Sequence, residues 1–166
     1  GIGGLGHMAI KLAVSKGAEV YAFTTSPDKV KDILSFGAKE AIVVDDLKKL
    51  YGFGPKLDYM ICTIPYHFDV AAYASVVKPY GTFTQVGMPE KFEVTMNALG
   101  LAVSRVNFNA SLIGGMPETQ EVVNYCANNK IHPTIQVIKA GEINKAWQNV
   151  VDKKARYRYV IDAATF

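Results

Sequence analysis

The sequence predicts an α/β protein built on a doubly wound parallel sheet, and three observations carry that expectation. Apolar residues switch repeatedly between helical and strand-like spacing along the chain. The helical stretches run about ten residues, long enough to cross from one parallel strand to the next. A glycine-rich turn, Gly1-Ile2-Gly3-Gly4-Leu5-Gly6, stands directly before the first helix. Right-handed crossovers between such strands put helices on both faces of the sheet.

The elements follow in order. Met8, Ile10, Leu12 and Ala13 line a helix that ends near Gly17, and Glu19 to Thr24 is a short β-rich run. Ser26 is placed to cap the next helix, with Pro27 in its first turn, and Gly37 stops it. Ala41 to Val44 is a strand, Leu47 to Tyr51 a helical turn, and Leu57 to Ile64 a longer strand. A helix over Val70 to Val77 ends at Pro79-Tyr80-Gly81, and the strand Thr82 to Val86 is broken by Gly87-Met88-Pro89. Phe92 to Leu101 follows neither period. Arg105 to Ile113 alternates as a strand up to Gly114-Gly115, and Pro117 to Asn128 is helical. The character changes after Ile131, with a strand at Ile135 to Ile138, a helix from Glu142 to Val151 and a strand at Tyr157 to Ile161. This divides the chain into a sheet-based domain, 1–130, and a small C-terminal appendage, 131–166.

With 166 residues, 49% of them hydrophobic, the chain can bury one sizeable core. A net charge of +3 without any Lys/Arg block excludes a nucleic-acid footprint. No apolar run reaches the ~20 residues of a membrane span, and the N-terminus lacks the layout of a signal peptide. Cys62 and Cys126 form no Cys-x-x-Cys pair, and Cys62 lies in the apolar run Tyr59-Met60-Ile61-Cys62. Both read as reduced structural thiols, which sets the expectation of a cytoplasmic protein. The first methionine is Met8 and no strand precedes the glycine turn, so the expectation is a fragment truncated before its first strand. That strand would be central in the order 3-2-1-4-5-6, and its loss exposes unpaired backbone on both neighbours. Either the sheet closes by rearrangement or a borrowed strand, or upstream residues complete it.

Gly1, Gly3 and Gly6 satisfy G-x-G-x-x-G, the turn that lets backbone approach a pyrophosphate at a helix N-terminus. Alone the pattern is weak, since a flexible glycine-rich terminus also fits it. A NAD site places Asp or Glu about 20 residues further on, to bond the ribose hydroxyls. Here Thr24, Thr25 and Ser26 occupy that place and Lys29 follows one helical turn later. A carboxylate would repel a 2′-phosphate; hydroxyls, a helix start and an ammonium would hold one. Ser26 as a plain cap and Lys29 as a solvated charge are the plainer readings, and both are compatible with an anion site.

Taken with the helix after it, Gly1-Ile2-Gly3-Gly4-Leu5-Gly6-His7 resembles the medium-chain, zinc-dependent alcohol dehydrogenases. The branch it resembles most is that of the cinnamyl alcohol dehydrogenases and NADP-dependent aldehyde reductases. Phe23-Thr24-Thr25-Ser26-Pro27-Asp28-Lys29, Ser111-Leu112-Ile113-Gly114-Gly115, Pro117-Glu118-Thr119-Gln120-Glu121 and Tyr157-Arg158-Tyr159-Val160-Ile161-Asp162 are similar to that branch as well. The likeness covers nearly the whole chain. It implies a Rossmann-like, NADP(H)-binding domain, with the appendage returning to a catalytic domain that this chain does not contain.

The resemblance implies cofactor contacts at Gly1, Gly3, Gly4, Leu5, Gly6, Thr24, Thr25, Ser26, Lys29, Thr63, Gly87, Ser111, Leu112 and Ile113. Without it, Thr63 and Ser111 are ordinary strand-end residues, Gly87 a turn glycine, and Leu112 and Ile113 core. It also implies zinc in the intact enzyme only, an alcohol or aldehyde substrate, a fragment inactive alone, and a homodimer through strand 105–113. His7, His67 and His132 are scattered without metal spacing, and no catalytic residue is assigned. Glu118 and Glu121 read as a solvated face, Trp147 as packing, and Arg156 and Arg158 as surface charges. Rival readings are a zinc-free quinone-reductase-like enzyme and a non-catalytic NADP(H)-sensing module. Thr24 argues against a methyltransferase-like loop, which usually needs an acid there.

Overall fold

The computed structural model describes residues 1–88, 91 and 93–166. Pro89 and Phe92, used above to mark a strand break and an unassigned stretch, lie outside the described residues. The chain opens with α1 (Gly6–Ser15), β1 (Tyr21–Thr24), α2 (Val30–Ser35), β2 (Glu40–Val43) and α3 (Lys48–Phe53). It continues with β3 (Leu57–Cys62), α4 (Val70–Ala74), β4 (Val77–Gln85), α5 (Ala98–Ser104) and β5 (Asn107–Ala110). Then come α6 (Met116–Asn128), β6 (Ile135–Lys139), α7 (Ile143–Val151) and β7 (Arg158–Asp162). Strands alternate with helices, and β1–β2, β3–β4, β4–β5 and β6–β7 all pair in parallel. The α/β class is as the sequence predicts.

Strand periodicity explains the two cores. Successive residues of β1 point to opposite faces. Ala22 therefore joins Ile10, Ile33 and Ala38, while Phe23 joins Leu50, Met60, Tyr73, Val77 and Phe83. Phe83 is fully buried, with its ring stacked 5.3 Å from that of Phe108. A buried phenylalanine of this kind contributes about 1.5–3 kcal/mol relative to an exposed one.

The paired strands form separate sheets, β1-β2, β3-β4-β5 and β6-β7. No described strand lies between β1 and β3. A slot of about 200 Å³ separates them, lined by Ala9 and Ala13 of α1, Ala22 and Phe23 of β1, and Met60 and Cys62 of β3. Gly1 also lines this slot. Among the described residues the strands on either side of this slot are not joined into one sheet.

Other boundaries moved for identifiable reasons. Pro79-Tyr80-Gly81 lies inside β4 rather than ending a helix, and α4 stops at Ala74. The register passes from Leu57↔Val77 to Tyr59↔Thr82, so Lys78 to Gly81 bulge out of the ladder. There a proline loses no ladder bond, and Tyr80 takes a φ of 66°. The stretch without a period contains α5, capped by Asn97, whose side chain accepts from the Gly100 amide at 3.1 Å. Ser26 precedes a 3₁₀ turn, Pro27–Lys29, without a side-chain cap bond, so it is not the conventional cap expected. The strand expected to reach Ile113 ends at Ala110. Trp147 is exposed rather than packed, and His67 lies before Asp69, the true cap of α4.

The C-terminal unit, β6–α7–β7, docks by side chains. Lys11 Nζ donates to the His132 carbonyl at 2.8 Å, and the Tyr157 hydroxyl donates to Asp32 at 2.8 Å. Arg156 pairs with Asp28 and is partly buried, so it is not the free surface charge expected. Among the described residues, no helix is long and apolar enough to cross a membrane.

Candidate functional site

The site grows from the glycine turn, which must pass close to the end of β3. Thr63, just beyond β3, donates its hydroxyl to the Gly1 carbonyl. A Cβ on Gly6 would run into that same carbonyl, so α1 can start here only with glycine. The first helical bonds run from His7 N to Gly3 O and from Ala9 N to Leu5 O, and no side chain caps the helix. Its first amides and positive dipole end are left available to an anion.

Beside the turn, β1 ends in Thr24, which is buried, and the Ser26 amide donates to Thr24 Oγ1 at 3.1 Å. Ser26 is extended, with φ −113° and ψ 102°. Lys29 is buried and donates to the Ile2 carbonyl at 2.9 Å, with its ammonium 5.8 Å from the Tyr157 ring. Burial, and then the Arg156 guanidinium, hold its pKa below the usual lysine range, while Asp28 and Asp32 act the other way.

These parts meet around one cavity of about 800 Å³, within the range of small-molecule sites. Gly1, Gly3, Gly4, Leu5, Gly6, Thr24, Thr25, Ser26, Lys29, Thr63, Gly87 and Leu112 all line it. Ser111 and Ile113 do not. Ser111 is tied by its amide to the Gln85 carbonyl at 2.9 Å, and the Ile113 side chain is 89% exposed. Gly87 donates its amide to the Cys62 carbonyl at 3.0 Å, and a Cβ there would strike the Ile64 carbonyl. No Asp or Glu lines the cavity among the described residues.

The sequence reading missed several neighbours. Ile64 to Phe68 form the wall beyond β3, a loop that Pro65 alone marks in the sequence. Gln85 holds that wall, donating to the Gly87 carbonyl at 2.6 Å and the Ile64 carbonyl at 3.2 Å. Lys153 lines the cavity from the C-terminal unit. Arg158 is exposed, as expected of a surface charge, and also lies near the turn: a Cβ on Gly4 would stand 3.5 Å from its Nε. Among the described residues, no three of His, Cys, Asp and Glu come together as metal ligands.

Comparison with known proteins gives a consistent neighbourhood. A family model described as zinc-binding dehydrogenase matches residues 4–128. NADP-dependent alcohol dehydrogenase C 1 of Mycolicibacterium smegmatis is 36% identical over 165 residues, 99% of this chain and 47% of that protein. Aldehyde reductase YahK of Escherichia coli is 36% identical over 99% of this chain and 47% of its own length. A cinnamyl alcohol dehydrogenase structure from Sorghum bicolor superposes with a TM-score of 0.94 at 27% identity, covering 99% of this chain and 46% of that one. The Helicobacter pylori CAD, solved with NADP(H), gives a TM-score of 0.88 at 36% identity, again over 99% of this chain and 46% of that one. The chain thus spans about half the length of the curated relatives it matches.

Proposed function

Because this chain belongs to the zinc-binding dehydrogenase family, we propose that it is the NADP(H)-binding portion of an alcohol dehydrogenase or aldehyde reductase. The observation that carries this reading is the corner formed by Thr24, Thr25, Ser26 and Lys29, where among the described residues no carboxylate faces the cavity. Hydroxyls and an ammonium there suit a ribose bearing a 2′-phosphate; an acid would suit the bare diol. The dinucleotide, when bound, supplies or accepts the hydride.

The chain's own residues bind and orient it. Gly1, Gly3, Gly4, Leu5 and Gly6 offer uncapped amides to the pyrophosphate, and Arg158 beside Gly4 adds charge on that side. Thr63, Gly87 and Leu112 line the way beyond the turn, so the nicotinamide half takes that direction. Ser111 and Ile113 stand outside the cavity lining, on the loop that carries Leu112. Residues 1–130 form the cofactor domain and 131–166 a segment that packs against a further domain. Among the described residues no three of His, Cys, Asp and Glu come together to hold zinc.

Titration of this chain with NADPH and NADH tests the reading. NADPH is expected to bind more tightly, and Lys29→Ala to remove most of that preference. Loss of one charge-assisted contact corresponds to about 1.5–3 kcal/mol, or roughly ten- to hundredfold in affinity. Equal affinity for both dinucleotides would defeat the assignment.

A further inference from the structure

Lys153 is the single lysine or arginine that the C-terminal unit brings to the cavity lining, among the described residues. It follows α7 with a φ of 61°, a left-handed turn position where glycine or asparagine would be the unstrained choice. Its Nζ stands 4.2 Å from the ring centroid of Tyr66, on the wall beyond β3. Its charge is also felt at Lys29, on the β1 side, whose ammonium is bonded to Ile2 within the glycine turn. Lys153 therefore lines the same cavity as the glycine turn, held beside the Tyr66 wall. It makes no ion pair among the described residues, and the neighbouring Asp152 is engaged by Lys154 and Gln148.

The chemistry of the space beneath it follows from the reading of the cavity as a dinucleotide site, on which this inference rests. A pyrophosphate seated on the turn has its inner oxygens facing the α1 amides, while its outer oxygens face the mouth of the cavity. We infer that Lys153 is a further cofactor-binding residue that supplies the outer cation for the pyrophosphate, leaving the 2′-phosphate to Lys29. The stack on Tyr66 positions the ammonium before the ligand arrives and shields its stem. A cation delivered from the C-terminal unit also makes cofactor affinity depend on that unit being docked.

Three ligands separate the roles. NADPH and NADH share the pyrophosphate, whereas 2′-AMP carries the 2′-phosphate alone. Lys153→Asn accepts the left-handed turn without strain, and a circular-dichroism melt checks its fold. It is expected to weaken NADPH and NADH alike by about tenfold, the loss of one charge-assisted contact, and to leave 2′-AMP unchanged. Lys153→Arg is expected to keep most of the affinity. Lys29→Ala gives the complementary pattern, weakening NADPH and 2′-AMP but not NADH. Unchanged dinucleotide affinity in Lys153→Asn, or a loss confined to NADPH and 2′-AMP, overturns the inference alone. A wild-type chain that binds neither dinucleotide overturns the proposed function together with it.

Discussion

His7 is fully buried, with Nδ1 3.2 Å from the Gly3 carbonyl and Nε2 accepting from the Thr134 amide at 3.1 Å. Its ring stacks on Tyr157 at 5.0 Å. Only the neutral ring with its proton on Nδ1 satisfies both partners, so a second proton on Nε2 would face the Thr134 N–H. Burial accordingly holds the His7 pKa below its ordinary value, with Lys11 and Arg158 adding to that and the carbonyls of the turn opposing it. A depressed folded pKa means that the unfolded chain takes up the proton first. The stabilisation is therefore complete above an unfolded pKa of about 6.5 and is lost as pH falls from there through the lower folded value. Urea unfolding between pH 8 and 5 is expected to show this loss in the wild type and a flatter profile in His7→Gln, which keeps an acceptor. Identical pH profiles would assign the sensitivity to other groups. At this scale the sequence revealed what is local. Thr24 to Lys29 stand within one turn and strand end, so their chemistry could be read from spacing. Lys153 reaches the same cavity from the far end of the chain, and no local pattern connects it to that site.

Among the elements, β1 and β3 carry the exposed consequence of the split sheet. Among the described residues each is paired on one side only, and their other edges face the apolar slot. Such edges hold unpaired amides that open to solvent more readily than a laddered strand. Hydrogen exchange of this chain is expected to be faster at slot-facing amides of β1 and β3 than in β4, which is paired on both sides. Equal protection would mean that the slot is closed in solution. Alternation of strands and helices was legible because burial on two faces imposes it on the sequence. The bulge at Lys78 to Gly81 was not, because a proline and a glycine look like a terminator unless the partner strand is known. The helix Ala98–Ser104 was hidden for another reason: none of its residues is buried, so it carries no apolar period.

For the whole molecule, the cofactor cavity and the C-terminal unit are parts of one arrangement. Asp28 and Asp32, one turn after the Thr24–Ser26 corner, hold Arg156 and Tyr157. His7 in the glycine helix holds Thr134, and Lys153 returns to the cavity mouth. The corner proposed to discriminate the cofactor is thus braced from behind by residues of the C-terminal unit. The proposed preference for NADP(H) depends on what occupies that corner. A crystal structure of this chain with NADPH measures it directly. The expected result is the 2′-phosphate on Thr25, Ser26 and the Lys29 ammonium, with the pyrophosphate over Gly3 to Gly6. An adenosine ribose bound anywhere other than the Thr24–Lys29 corner would contradict it.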